Sequence, residues 1–229
     1  MTIVRIDRGY CGPPDSGNGG YFAGVLAAAL GGSDVQVILN RPAPLDRDLT
    51  IDRSGEGAAL YDGDDLLAIA EPAAVAIDVP PPPALDEAAA AEQSFDKEGH
   101  IYPGCFVCGP DREDGDGWRI FPGSIGEGRV AATWTPPAGT ASQSGHLLPE
   151  FIWAALDCPG YFAVQEPAGL ALLGRIAVSI RSPVRCGEPV IVQGWAIGSE
   201  GRKHRAGTAL HTADGRLLAV ADQLWISLR

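Results

Sequence analysis

Four groups of residues in the 229-residue chain have types and spacings that can do chemistry. The first is Gly17 and Gly19-Gly20, placed around Asn18 and ahead of a run holding Tyr21, Phe22, Val25, Leu26 and Ala29. A helix N-terminus presents unpaired amides and a positive dipole end, and glycine lets a ligand carbonyl approach those amides closely. The same glycines serve equally as a tight turn before the helix. The second is Asp157, a lone acid among Ala154, Ala155, Leu156 and Cys158, where a carboxylate is costly unless it is partnered. The third is Cys105-Phe106-Val107-Cys108, with His100 upstream. A structural zinc takes four ligands and no second Cys-x-x-Cys or His pair completes a set, so no metal is expected. A redox Cys-x-x-Cys normally precedes a helix, which Pro110, Gly115 and Gly117 interrupt here. Cys158 reads as a small buried hydrophobe, since no base stands at a fixed spacing from it. The fourth is polar: His146 in a loop with Gln143 and Ser144, and a basic set of Arg175, Arg181, Arg185, Arg202, Lys203 and Arg205. These are either solvated or in contact with a small anionic ligand.

The elements that must position these groups follow from periodicity. Gly17 to Leu30 approximates helical apolar spacing and stops at Gly31-Gly32. Strand-type runs follow at Val35–Leu39, Leu49–Ile51 and Leu66–Ala70. A second helix opens at Pro149, with proline at a favourable first position and Glu150 placed to compensate the dipole. Strand runs follow it at Ile176–Ile180, Val190–Val192 and Leu217–Ala221. Each half also begins with a strand, Ile3–Ile6 and Arg129–Trp134. Asp62-Gly63 and Asp214-Gly215 both mark hairpin turns before an apolar strand. One helix with a following antiparallel sheet, made twice, is α+β and a two-copy repeat. Pro80-Pro81-Pro82-Pro83 and the alanine run to Ala91 separate the copies, which gives residues 1–80, a linker at 81–100, and residues 101–229.

Composition removes whole classes of function. With 45% hydrophobic and 20% charged residues the chain is globular. Its net charge of −12 and the lack of a long basic stripe exclude nucleic acid as the main partner. No apolar run reaches the roughly 18–20 residues of a membrane span, so no membrane is expected. Charges between Met1 and Asp7 speak against a secretory leader, and five irregularly spaced cysteines fit a reducing, cytoplasmic setting. The charge is uneven: residues 1–99 hold 6 Lys+Arg against 17 Asp+Glu, and residues 158–229 hold 8 against 5.

Two motifs resemble the hotdog-fold acyl-CoA thioesterase superfamily, and its phenylacetate-pathway type in particular. One is Cys105-Phe106-Val107-Cys108-Gly109-Pro110-Asp111, continuing through Gly117-Trp118-Arg119-Ile120-Phe121. The other is the helix entry, which in that family runs histidine or asparagine, two glycines, then an acid about nine positions on. The first half has Asn18-Gly19-Gly20, but Ala27 stands where the acid belongs. The second half has His146 followed by Leu147-Leu148, without glycines, but carries Asp157. A two-residue insertion before Pro149 aligns Asp157 with Ala27, so each copy keeps what the other lost.

The resemblance implies a tandem (double) hotdog, each half a long helix wrapped by an antiparallel sheet. It implies one complete site from Asn18, Gly19, Gly20 and Asp157, and one dead site. The activity implied is hydrolysis of acyl-CoA or another acyl thioester, with the amides polarising the carbonyl and Asp157 as general base or direct nucleophile. Tyr21, Phe22 and Trp153 would lie against the acyl tail. His146, Arg175 and Arg181 would touch the substrate, the arginines through its phosphates. No cofactor is implied, and sheet-edge pairing makes a homodimer the expected assembly. A noncatalytic acyl-binding module is the competing expectation.

Overall fold

A computed structural model describes residues 1–32 and 34–228. Its strands are β1 (Thr2–Arg5), β2 (Asp34–Leu39), β3 (Asp48–Ser54), β4 (Gly57–Asp62), β5 (Asp65–Pro72), β6 (Gly123–Gly126), β7 (Arg129–Trp134), β8 (Ala171–Ile180), β9 (Val190–Glu200), β10 (Lys203–Thr212) and β11 (Leu217–Ser227). The helices are α1 (Gly19–Ala28), α2 (Leu85–Ala91) and α3 (Pro149–Ala168). All strands join one antiparallel sheet in the order β1-β3-β4-β5-β2-β8-β11-β10-β9-β7-β6. The left half reads β1-β3-β4-β5-β2, and the right half, read from the opposite edge and inside the added edge strand β6, reads β7-β9-β10-β11-β8. The two halves therefore repeat one strand order about the central β2–β8 pair, each with its helix between the leading strand and the next.

Chemistry explains the parts the periodicity missed. β4 and β10 carry small or polar residues on alternating faces and lack a continuous apolar run, so only their partners reveal them. The hairpins close where glycine is required, at Gly63 (φ 59°) and Gly215 (φ 89°). α3 runs on well past Leu156 despite Pro159, which can donate no backbone hydrogen bond. The bond lost there is the one to Ala155 O; one residue on, a buried polar layer of the sheet supports the same turn, with Thr208 Oγ1 donating to Leu156 O at 2.8 Å and Gln223 Nε2 donating to the same carbonyl. Gln223 is itself held by Trp225 Nε1, which donates to its Oε1 at 2.8 Å. This layer fixes the turn of α3 that carries Asp157 and Cys158.

The two helices cross antiparallel and very close. A Cβ added at Gly20 would lie 2.5 Å from Trp153 O and 2.6 Å from Asp157 Cβ, and one at Gly24 would lie 2.6 Å from Glu150 Cα. The glycines thus bring the backbone of α1 onto α3.

The segment between the halves is packed rather than loose. Val75, Ile77 and Val79 cover Trp195, Ala209 and Val220 on the sheet, and Arg129 and Gln193 donate to Pro81 O and Pro80 O. α2 lies over β7 through Ala88, against Ala131 and Ile191. Residues 100–121 then reach back to the start of α1, where Phe106 N donates to Cys11 O at 3.0 Å. Arg112 ties this loop down, donating to Gly104 O, Gly9 O and Asp116. Among the described residues no helix is long and apolar enough to cross a membrane.

Candidate functional site

Asn18 caps α1: its Oδ1 accepts from Tyr21 N at 2.9 Å, while its own carbonyl accepts from Phe22 N. That leaves the amides of Gly19 and Gly20 at the positive end of the helix. Gly20 N donates to Asp157 Oδ2 at 2.8 Å, joining the two helices through a carboxylate. Asp157 is only 3% exposed, and its Oδ1 is buried without a partner. Burial pushes its carboxyl up to about 7; the Gly20 amide, and more weakly Asn18, pull against this. A carboxyl poised there exchanges a proton readily near neutrality. The Gly19 amide, one step earlier, is engaged neither by Asp157 nor by the Asn18 carboxamide.

These groups open onto a largely apolar pocket of about 280 Å³. Its walls come from Asn18, Gly19 and Phe22 of the α1 entry, Tyr161 and Phe162 of α3, Leu172 and Leu173 of β8, and Trp225 and Ile226 of β11. Arg41 stands in its lining and is paired with Asp65 at 2.7 Å. The same wall holds Cys105, Cys108 and Cys158, with His100 beside them. Hydrogen bonds from the Cys108 and Cys158 thiols hold Cys105 well below the usual thiol range, whereas Cys108, chiefly through burial, and Cys158, chiefly through Cys105, are pushed up.

The structure brings together Asn18, Gly19, Gly20, Phe22 and Asp157. The other residues expected to touch the substrate lie elsewhere. Tyr21 stacks on Tyr10 at a centroid distance of 4.4 Å and joins Phe106 and Phe151 in an aromatic cluster. Trp153 is buried at the crossing of α1 and α3. His146 sits in the exposed loop before α3, with Nδ1 3.1 Å from Ser144 Oγ. Arg175 is spent on Asp222 at 3.2 Å and on Gln36 Oε1, and Arg181 is exposed at the end of β8. None of these five lines the pocket. Arg202 is nearer: its Nε donates to Ser227 O, between the lining residues Ile226 and Leu228. Sequence reasoning missed Arg41 and the gathering of Cys158 with Cys105 and Cys108. The first has no local pattern around it; the second depends on residues that meet only through the fold.

No family model matches the chain, and no curated protein matches it. Solved structures do. A "putative thioesterase" from Novosphingobium aromaticivorans is 15% identical over 99% of this chain and 95% of its own, with a TM-score of 0.66. A conserved protein of unknown function with hot dog fold from Alicyclobacillus acidocaldarius is 14% identical over 99% and 92%, at 0.64. The tesB protein of Mycobacterium avium subsp. paratuberculosis is 14% identical over 99% and 92%, at 0.60. These likenesses establish an α+β hot dog fold along nearly the whole chain. The solved structures that share it include this putative thioesterase and this hot dog protein of unknown function.

Proposed function

We propose that the chain is an acyl-thioester hydrolase built as a tandem double hotdog, with residues 1–80 and 101–229 as its units and 81–100 as the strap between them. One composite site serves both units. The observation that carries this reading is Asp157: a buried carboxylate clamped through Oδ2 to the Gly20 amide, with Oδ1 unpaired beside an apolar pocket.

In this reading the acyl tail lies against Phe22, Tyr161, Phe162 and Leu173, and the thioester carbonyl accepts from the Gly19 amide at the dipole end of α1. Asp157 Oδ1 takes a proton from water as the hydroxide oxygen bonds to the carbonyl carbon. Collapse of the tetrahedral intermediate breaks the C–S bond, and the thiolate recovers that proton from Asp157. Water is consumed, and an acid and a thiol are formed. The phosphates of a CoA ester would lie outside the pocket, toward Arg41 and Arg202, in place of Arg175 and Arg181. Pairing through a sheet edge would make the working form a dimer of this chain.

The test follows loss of thioester absorbance over a panel of acyl-CoA esters, for wild type and Asp157→Asn. Turnover in the wild type that falls by roughly 100-fold or more in the variant is the expected result for loss of a general base. Equal turnover in both would remove Asp157 from the chemistry. Saturable binding without turnover in the wild type would make the chain an acyl-binding module instead.

A further inference from the structure

The inner wall of the pocket carries a side-chain group that the hydrolytic reading does not use. The Sγ atoms of Cys105, Cys108 and Cys158 all lie within 4.8 Å of one another, with Cys105 and Cys158 3.9 Å apart. All three are free and buried. Sulfurs around a tetrahedral zinc at Zn–S distances of ~2.3 Å are about 3.8 Å apart, so the Cys105–Cys158 pair already has the spacing of a metal–thiolate centre and Cys108 lies within about an ångström of it.

The surroundings are built to hold negative sulfur. Cys105 and Cys108 flank a tight turn that only glycine can close, since a Cβ at Gly109 would lie 2.4 Å from both Cys105 O and Pro103 O. Cys158 stands on α3, fixed by the polar layer beneath Leu156. N–H groups converge on the sulfurs: Asn18 Nδ2 lies 3.8 Å from Cys158 Sγ and 4.0 Å from Cys105 Sγ. His100 Nε2 is 3.3 Å from Cys108 Sγ. Because His100 Nδ1 accepts from Tyr102 N, the ring proton is on Nε2 and points at that sulfur. Simple apolar packing of three cysteines calls for none of these donors, whereas metal-bound thiolates are commonly held by such outer contacts.

We propose that Cys105, Cys108 and Cys158 form a binding site for a thiophilic metal ion of the Zn²⁺ type, with its fourth coordination position open to the pocket. Thiolate ligands select such ions over the hard oxygen-seeking cations. Among the described residues no fourth His, Cys, Asp or Glu joins the cluster at that reach, and His100 is committed as a donor to sulfur. Three thiol protons leave as three metal–sulfur bonds form, and nothing is oxidised or reduced. The site does not depend on the chain being a hydrolase, and it reverses the expectation drawn from the Cys-x-x-Cys alone.

The experiment titrates reduced, metal-free protein with Co²⁺ and then with Zn²⁺, with no acyl substrate present. One Co²⁺ per chain, a thiolate-to-cobalt charge-transfer band, and its displacement by one Zn²⁺ are expected. Cys105→Ser and Cys158→Ser should lose the band, and Cys186→Ser, outside the cluster, should keep it. His100→Ala should retain the band but bind about 10–100-fold more weakly. Should the serine variants fail to fold, wild type still decides. Native mass spectrometry should find one Zn²⁺, and Zn²⁺ should slow alkylation of Cys105, Cys108 and Cys158 but not of Cys186. Absence of stoichiometric binding, a cobalt spectrum without the thiolate band, or a folded Cys158→Ser that titrates like wild type would each overturn the proposal. Turnover is measured separately, so either reading can fail while the other stands.

Discussion

Asp157→Asn separates a carboxylate kept for chemistry from one kept for structure, because the two make opposite predictions for stability. In reduced, metal-free protein, burial raises this carboxyl from an ordinary 3.8 to about 7. The unfolded chain therefore ionises first. The contribution of this group to wild-type stability falls as pH rises from about 4, and levels off above about 7, once the folded carboxyl is also charged. The rise of about 3 pH units corresponds to a cost on the order of 4 kcal/mol at full ionisation, at 1.36 kcal/mol per unit. Asparagine keeps an oxygen for the Gly20 amide and carries no charge. Its NH₂ would fall where Oδ1 is now unpaired, a buried unsatisfied donor costing about 1–3 kcal/mol. The variant should thus be more stable than wild type by about 1–3 kcal/mol near pH 8. The constant NH₂ penalty cancels in the pH dependence, so the advantage should shrink by about 2–3 kcal/mol between pH 8 and pH 5. Urea unfolding with reductant and chelator at both pH values measures this, and the thioester assay on the same samples measures turnover. A more stable, inactive variant is the expected pair of results. A variant destabilised at pH 8, with no pH-dependent difference from wild type, would refute the burial argument and make Asp157 a structural tie between the helices.

Three further outcomes follow from the packing. Gly20→Ala puts a methyl 2.5 Å from Trp153 O, so denaturation should show a loss of about 1–3 kcal/mol and turnover should fall as the amide leaves Asp157. His211 on β10 is 2% exposed, and burial lowers its imidazole to about 4. The unfolded chain then takes up the proton first, so the contribution of this group to stability should drop by about 2 kcal/mol from pH 7 to pH 5, opposite in sign to that of Asp157, and His211→Leu should remove it, so that the variant gains about 2 kcal/mol on wild type over that range in urea titrations. Arg175→Ala should cost about 1–2 kcal/mol through Asp222, which would keep only Arg205. It should leave the KM for CoA esters unchanged; a large rise in KM would put Arg175 back in the substrate site.

What could be read in the sequence divides by the range of the interaction that decides it. The two helices, the strands flanking them, the glycine hairpins and the alanine helix after the prolines are set by local pattern, and they stand where periodicity puts them. β4 and β10 are held by neighbours on both sides, so their sequences did not need to advertise a strand. The pairing of Asp157 with the Gly20 amide lay within reach because the two halves read alike, and aligning one on the other places the acid against the glycines. Nothing comparable links Cys158 to Cys105 and Cys108. The loop carrying that pair has no counterpart in the first half, and it reaches α3 only by folding back over the entry to α1. Arg175 and Arg181 lie outside the pocket lining for a related reason, since a count of positive charge says nothing about which arginines are already paired, as Arg175 is with Asp222, or face solvent, as Arg181 does.

On the tandem reading proposed above, the two helix entries also account for an acid in one half alone. At the start of α1 the residues are Asn18, Gly19 and Gly20; the matching positions at the start of α3 are Leu148, Pro149 and Glu150. Leu148 has no side-chain oxygen to cap the helix, and Pro149 has no N–H, so the amide corresponding to Gly19 does not exist there. An acid at position 27 of α1 would be buried opposite an entry with neither the cap nor that amide, at a desolvation cost with little return. Ala27, 4% exposed, avoids that cost. Conversely, with alanine at position 27, nothing requires glycines at the entry of α3, and proline and glutamate there favour the helix itself. Loss at either position removes the reason to keep its partner. One carboxylate facing one pair of glycine amides is therefore the stable outcome for a fused pair of units, whereas two identical separate chains would have to keep both or lose both.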